Sequence, residues 1–134
     1  MDVQAIKTAF EAELNSWWPT AGNTPINWEN VPFTPPAGIF ITPLVTFADA
    51  TENELGSNPL VLISGIFSVL VSGPVNSGSG AILAKVNLIN NRFSSYKFSD
   101  VHTGPGRIVI IGEDENKYHV QVRIPFKARQ RARS

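Results

Sequence analysis

The chain has 134 residues, enough for one domain whose core needs no disulfide or metal to hold it together. It contains no cysteine, which excludes disulfides, thiolate zinc sites and cysteine nucleophiles. Eleven basic and eleven acidic side chains cancel, so bulk charge does not indicate a nucleic-acid binder. The charged fraction of 16% is low against the usual ~25%, which we interpret as a first sign of assembly with partners.

The first predicted element is a helix over residues 3–17. Apolar side chains recur there at helical spacing and form one face: Val3, Ile6, Phe10, Leu14 and Trp17. Asp2 is a suitable N-cap, and Pro19 predicts an end at Trp18, because the residue before a proline is pushed out of the α region. The first residues lack the cationic and apolar blocks of a signal peptide, so we expect the protein to start out in the cytoplasm.

A proline-rich segment follows the helix. Five prolines between residues 19 and 37 exclude a central strand, although the alternation in Ile26–Phe33 is compatible with a short edge strand. Residues 38–47 predict a strand in which Pro43 marks a bulge or a sheet edge. The polar stretch from Asp49 to Asn58 predicts a loop.

The middle of the chain predicts one buried strand and a second helix. Leu60–Val71 is largely apolar on both faces, which predicts a central strand covered on both sides; it is too short for a membrane-spanning helix, which needs about 18 residues. Residues 72–80 are rich in turn formers. A helix over about 79–93 is predicted from the spacing of four apolar residues: Ile82, Val86, Ile89 and Phe93.

The last third of the chain predicts a short strand at 96–102 and then a β-hairpin. Its strands are residues 108–111 and 117–126, joined by an acidic turn at 112–116. The second strand alternates, with Tyr118, Val120, Val122, Ile124 and Phe126 on the inward side. The order α-β-β-β-α-β-β-β predicts an α+β domain, with a mostly antiparallel sheet and two helices packed on it.

Charge is separated along the chain. Residues 1–115 hold all eleven acids and five of the bases, a net charge of −6, whereas residues 116–134 carry six bases and no acid. We therefore divide the chain into a domain over 1–126 and a basic C-terminal tail over 127–134, predicted to be disordered alone and to dock on an acidic partner surface.

The motifs do not predict catalysis. Asp100 and His102 stand two residues apart, but a Ser-His-Asp site also needs an exposed nucleophile on a strand–helix turn, and no G-x-S-x-G occurs. The glycines near Ser77 match neither the phosphate-binding pattern G-x-x-x-x-G-K-[ST] nor the dinucleotide-binding pattern G-x-G-x-x-G. The consecutive acids Glu113, Asp114 and Glu115 lack the spacing of a calcium loop. We predict that the protein is not an enzyme and has no metal or cofactor.

Three segments resemble a known family. Pro25-Ile-Asn-Trp-Glu-Asn-Val-Pro-Phe-Thr-Pro-Pro36, placed after an amphipathic helix, resembles the signature of the small tail-terminator-like proteins of long-tailed bacteriophages. Gly65–Val71 is similar to that family's central strand and Val120–Phe126 to its closing strand, so the resemblance covers about residues 3–126. It implies a virion protein that forms a hexameric ring at the head-proximal end of the tail tube.

The same resemblance implies the partners: other copies of the chain, the tail tube protein and the head connector, with the genome passing through the lumen without specific binding. Another neck or tail-tube component is an alternative, and a small-ligand-binding or enzymatic domain using Asp100 and His102 is an alternative of another class. Because a head-to-tail ring suits separated charge blocks, we expect contacts at the charged segments. The candidate interface residues are Glu52, Asn53, Glu54, Glu113, Asp114, Glu115, Arg123, Lys127, Arg129, Arg131 and Arg133.

Overall fold

The computed structural model describes residues 3–29, 31–52, 60–75, 80–114 and 116–131. It confirms the predicted α+β class, with two helices and a sheet of six antiparallel strands. None of the described helices has both the length and the apolar character needed to cross a membrane. The elements in chain order are α1 (Val3–Ala21), β1 (Phe40–Glu52), β2 (Leu60–Pro74), α2 (Gly80–Phe93), β3 (Lys97–Phe98), β4 (Val101–Thr103), β5 (Arg107–Asp114) and β6 (Lys117–Arg131).

The sheet is built around β6. One edge of β6 pairs with β2 along its whole length, and β2 pairs in turn with β1. The other edge of β6 is shared, because β5 pairs with residues 117–123 and β4 with residues 126–128. The strand order is therefore β1-β2-β6-β4-β3, and β5 lies off this path, paired with β6. Pro43 lies in β1, which is an edge strand of the sheet, as predicted.

Both helices pack on one face of this sheet. The ring of Phe10 in α1 stacks on Phe67 of β2 with centroids 4.5 Å apart, and Phe93 of α2 lies 5.1 Å from the same ring. The inward alternation predicted for β6 is confirmed, since Val120 and Val122 are fully buried. The second helix is confirmed over Gly80–Phe93; residue 79 lies outside the described residues.

The predicted end of the first helix is wrong by one turn. α1 continues through Pro19 to Ala21, because Trp18 is fully buried and anchors the chain beyond the proline. Its indole N–H donates to the carbonyl of Thr24 at 3.1 Å, and its own carbonyl accepts from the N–H groups of Gly22 and Asn23 at 2.8 Å each. Asn23 adopts the left-handed conformation (φ 53°) common at helix C-termini.

Two predictions around β1 are also corrected. Residues 26–33 form no edge strand among the described residues; they contribute only a parallel bridge from Ile26 to Ile41. Residues 49–52, predicted as the start of a loop, belong to β1, because a bulge between Phe47 and Asp49 lets pairing with β2 continue to Glu52. The rest of that predicted loop, residues 53–58, lies outside the described part of the chain.

β2 is central, but only one of its faces is covered along its whole length. The face that carries Phe67 and Val69 lies under the helices and is buried, whereas Ile66 on the opposite face is 38% exposed. Because α1 and α2 both pack on the same face, the other face is covered only in part: Ser72 is 1% exposed there and lies opposite the buried Phe40, whose ring contacts Phe33. The predicted two-sided burial therefore holds near Ser72 and is wrong at Ile66.

The boundary at residue 126 is not where the fold ends. Residues 127–131 continue β6 and pair with β2, and Ala128 is fully buried opposite Ile63 and Val101. The predicted disordered tail is therefore wrong over this stretch, because Ala128 keeps the inward alternation of the strand. Residues 132–134 lie outside the described residues.

The predicted short strand at 96–102 is two strands. β3 and β4 are joined by a tight turn in which Ser99 has a φ of 53°. β5 is longer than the predicted 108–111, since it begins at Arg107 and continues to Asp114 through a bulge.

Candidate assembly surfaces

The side of the sheet that faces away from both helices, called the open face here, is rich in cations. Residues directly opposite each other in an antiparallel pair point to the same face. Lys127 of β6 pairs with His102 of β4, and His102 pairs with Lys97 of β3, so these three exposed side chains form a row. Arg123 of β6 pairs with Arg107 of β5 and adds a second exposed pair. The tertiary structure thus gathers cations from three strands, β3, β5 and β6, around His102 of β4.

The open face also exposes apolar groups. Leu44 of β1 is 40% exposed and Ile66 of β2 is 38% exposed. Ile66 lies opposite the exposed Pro125 of β6 and beside the row of cations. A surface that combines uncovered apolar side chains with one sign of charge is typical of a contact surface.

A second exposed surface lies at the end of the β5–β6 hairpin. Ile110 and Ile111 are 62% and 51% exposed, and the exposed acids Glu113 and Asp114 follow them. A bulge separates Ile110 from Gly112, whose φ of +98° is a conformation that glycine adopts without strain. We call Ile110, Ile111, Glu113 and Asp114 the hairpin end.

Among the described residues, no salt bridge neutralises the acids of the hairpin end. Across the described residues, the salt bridges join Lys7 to Glu11 and Glu29, and Arg92 to Glu13. Lys117, which lies opposite Asp114, instead donates a hydrogen bond of 3.2 Å to the carbonyl of Pro36. Both carboxylates of the hairpin end are therefore available to a partner.

The family model for the phage tail terminator protein matches residues 5–126 of the chain. The chain belongs to the phage tail terminator family. A search of the curated proteins gives no match. One solved structure, which carries only a sequence identifier as its name, matches with a TM-score of 0.73, 20% sequence identity and coverage of 96% of both chains. At this identity the likeness shows the shared fold alone.

Family membership makes the protein a structural component of a phage tail. Several of the residues predicted as an interface of this terminator-family protein lie on the two surfaces described above. Arg123, Lys127 and Arg129 are exposed on β6, and Glu113 and Asp114 are exposed at the hairpin end. The predicted set thus separates into an acidic group and a basic group at different places on the sheet.

The remaining predicted interface residues divide into two groups. Glu52 and Arg131 are the last residues of β1 and β6, and both strand ends lie beside the start of β2. The others lie outside the described residues: Asn53, Glu54, Glu115 and Arg133.

The predicted interface residues did not include Lys97, Arg107, Ile110 or Ile111, which lie on the two surfaces. Lys97 and Arg107 are far from Lys127 in sequence, so no linear pattern joins them. Ile110 and Ile111 carried a local signal, because the run Ile108–Ile111 breaks the period of two expected for a strand with one buried face.

The alternative based on Asp100 and His102 gains no support from the geometry. Both residues are exposed, and in the described part of the chain no side chain forms a hydrogen bond with His102. Ser72 Oγ lies 2.7 Å from Nδ1 of the other histidine, His119, but Ser72 is only 1% exposed and a substrate cannot reach it. The described residues contain no group of three or more potential metal ligands.

Proposed function

We propose that the protein is the tail terminator of a long-tailed phage, and that it acts as a homohexameric ring at the head-proximal end of the tail tube. The ring stops polymerisation of the tube and presents the surface that joins the tail to the head connector. The observation that carries this proposal is the family match over residues 5–126, which spans both helices and nearly all of the sheet.

The exposed surfaces support assembly. The hairpin end leaves Ile110 62% exposed, and the open face leaves Leu44 40% exposed. Apolar groups that protrude in this way are stabilised when a partner removes them from water. Two different surfaces of opposite charge suit head-to-tail contacts, which close into a ring when the rotation between subunits permits it.

The proposal places the protein between two other components of the virion. The tail tube protein lies on one side of the ring and the head connector or neck protein on the other, while the genome passes through the lumen without specific binding. The protein is made in the cytoplasm of the host bacterium and then functions in the virion, without a cofactor.

The test is a tube-polymerisation assay with the tail tube protein encoded by the same phage. Adding the terminator protein to growing tubes is expected to stop elongation and to leave a ring at one end of each tube, as seen by negative-stain electron microscopy. Bovine serum albumin serves as the control and should leave elongation unchanged. Tubes that keep growing with the protein incorporated along their length would contradict the proposal and favour the tail-tube alternative.

A second arm of the same test concerns joining. Tubes capped by the protein are expected to attach to DNA-filled heads that carry their connector, whereas uncapped tubes are not. If electron microscopy shows the protein on heads but never on tubes, this result would contradict the terminator assignment and favour another neck component.

A further inference from the structure

We infer that the hairpin end of one copy of this chain docks on the open face of the next copy, so that the two surfaces form the subunit contact of the ring. This inference rests on the proposed function, and it deepens that function by naming the interface. The partner at each surface is a second copy of the chain.

The charges of the two surfaces are complementary. The hairpin end presents the carboxylates of Glu113 and Asp114, and the open face presents Arg123 and Lys127. In the described part of the chain no salt bridge satisfies any of these four groups. Opposite charges across a contact favour the correct partner and fix its orientation.

The apolar groups are complementary in the same way. Ile110 and Ile111 lie next to the acids of the hairpin end, and Leu44 and Ile66 lie beside the cations of the open face. Each surface therefore offers an apolar patch beside a charged one. Docking would bury the apolar groups and bring the acids to the cations.

The geometry of β6 keeps the acids of the hairpin end away from the cations of the open face within one copy. The acids of the hairpin end lie at residues 117 and 118 of this strand, because Asp114 pairs with Lys117 and Glu113 with Tyr118. Arg123 is six residues further on and Lys127 ten, so at about 3.3 Å per residue these two cations lie about 20 Å and about 33 Å from Asp114 along the strand. A contact between these acids and cations must come from different copies. Since the two surfaces differ, the contact is head-to-tail, as a ring requires.

Two charge-reversal variants test the interface. The hairpin variant carries Glu113→Lys and Asp114→Lys, and the face variant carries Arg123→Glu and Lys127→Glu. All four residues are exposed, so each variant is expected to keep the circular dichroism spectrum of the wild type. Each alone is expected to weaken self-association at least about tenfold in sedimentation velocity, because like charges then face each other across the contact.

Mixing the variants is the decisive arm. The hairpin variant keeps the native open face and the face variant keeps the native hairpin end, so an equimolar mixture is expected to regain oligomers in which the variants alternate. A chain carrying all four reversals should also regain them.

A charge-neutralised variant carries Glu113→Gln and Asp114→Asn. Its control carries Thr8→Lys and Asn15→Lys on α1, which change the net charge of the chain by the same amount. Only the charge-neutralised variant should weaken association.

Three results would overturn this interface. They are a wild-type chain that stays monomeric at every concentration, an oligomer that tolerates the reversals, and a pair of variants that fail to rescue each other. Reversals that abolish tube capping but leave the oligomer intact would assign the surfaces to the tube protein instead. If the reversals abolish the oligomer but the wild type does not cap tubes, the interface stands and the proposed function fails.

Discussion

Phe67 joins the sheet to both helices, and its side chain is 1% exposed. Phe67→Ala is expected to lower the free energy of unfolding by about 3–5 kcal/mol, because it removes the ring on which Phe10 and Phe93 pack and leaves a cavity. Urea denaturation measures the change. The neighbouring Ile66→Ala, on the partly exposed face, should cost much less. Equal losses for the two variants would contradict the assignment of faces in β2.

Gly65 shows how closely the sheet and its side chains pack. A Cβ at this position would meet the carbonyl of Thr46 and would lie 2.8 Å from the ring of Phe126. Gly65→Ala is expected to cost about 1–3 kcal/mol in the free energy of unfolding, since the neighbours must move. Gly38→Ala is the matched control, because nothing lies within 4 Å of its Cβ. A Gly65→Ala protein as stable as Gly38→Ala would contradict this packing.

The two histidines are expected to differ in their effect on stability. His119 is half-buried and shares a hydrogen bond with the buried hydroxyl of Ser72, whereas His102 is exposed. His119→Ala leaves that hydroxyl without its partner and should cost about 1–3 kcal/mol. His102→Ala should stay within about 0.5 kcal/mol of the wild type. Thermal unfolding followed by circular dichroism measures both; the reverse order would be inconsistent with this hydrogen bond.

At the level of elements, the end of β6 belongs to the folded domain. Residues 127–131 pair with β2, residues 126–128 pair with β4, and Ala128 is fully buried. A chain that ends at Phe126 is expected to lose at least about 2 kcal/mol of stability, because several backbone hydrogen bonds and a core contact disappear. A chain that ends at Arg131 is the control and should unfold like the wild type. Equal midpoints in urea for the two truncations would contradict the strand assignment.

At the level of the whole molecule, the proposed subunit contact combines apolar burial with charge pairs at an exposed surface. Raising the salt concentration from about 0.05 M to about 0.5 M screens exposed charges. The association constant measured by sedimentation velocity is therefore expected to fall. The neutralised variant, Glu113→Gln with Asp114→Asn, should associate more weakly and show a smaller dependence on salt. An association that strengthens with salt in both proteins would point to apolar burial alone.

Much of the fold was predictable from local patterns. The spacing of Ile6, Phe10 and Leu14 indicates which face of α1 is buried, and the alternation of β6 indicates which side chains enter the core. These patterns report directly on the core, because the period of the apolar residues matches the period of the backbone. The family resemblance was recognisable in the same way, from a short string of residues, and the family model confirms it.

The errors have a common physical origin. Pro19 was predicted to end α1, but the buried ring of Trp18 and its hydrogen bonds hold one more turn. The cations after Phe126 were predicted to form a tail, but Ala128 fits the core between β2 and β4. In each case a tertiary contact outweighs a local preference of about 1–3 kcal/mol.

The sequence by itself determined the fold class, the inward faces of α2 and β6, and the separation of acids from bases along the chain. It determined the inward face of α1 except at its ends, where Val3 is exposed and Trp18 rather than Trp17 is fully buried. Only the tertiary structure decided that both helices lie on one side of the sheet and leave part of its other face open. It alone brought Lys97, Arg107 and Lys127 onto that face and placed Asp114 of the hairpin end about 33 Å from Lys127 along β6. The physical reason is that strand pairing joins residues distant in sequence, and no local period records which strands become neighbours.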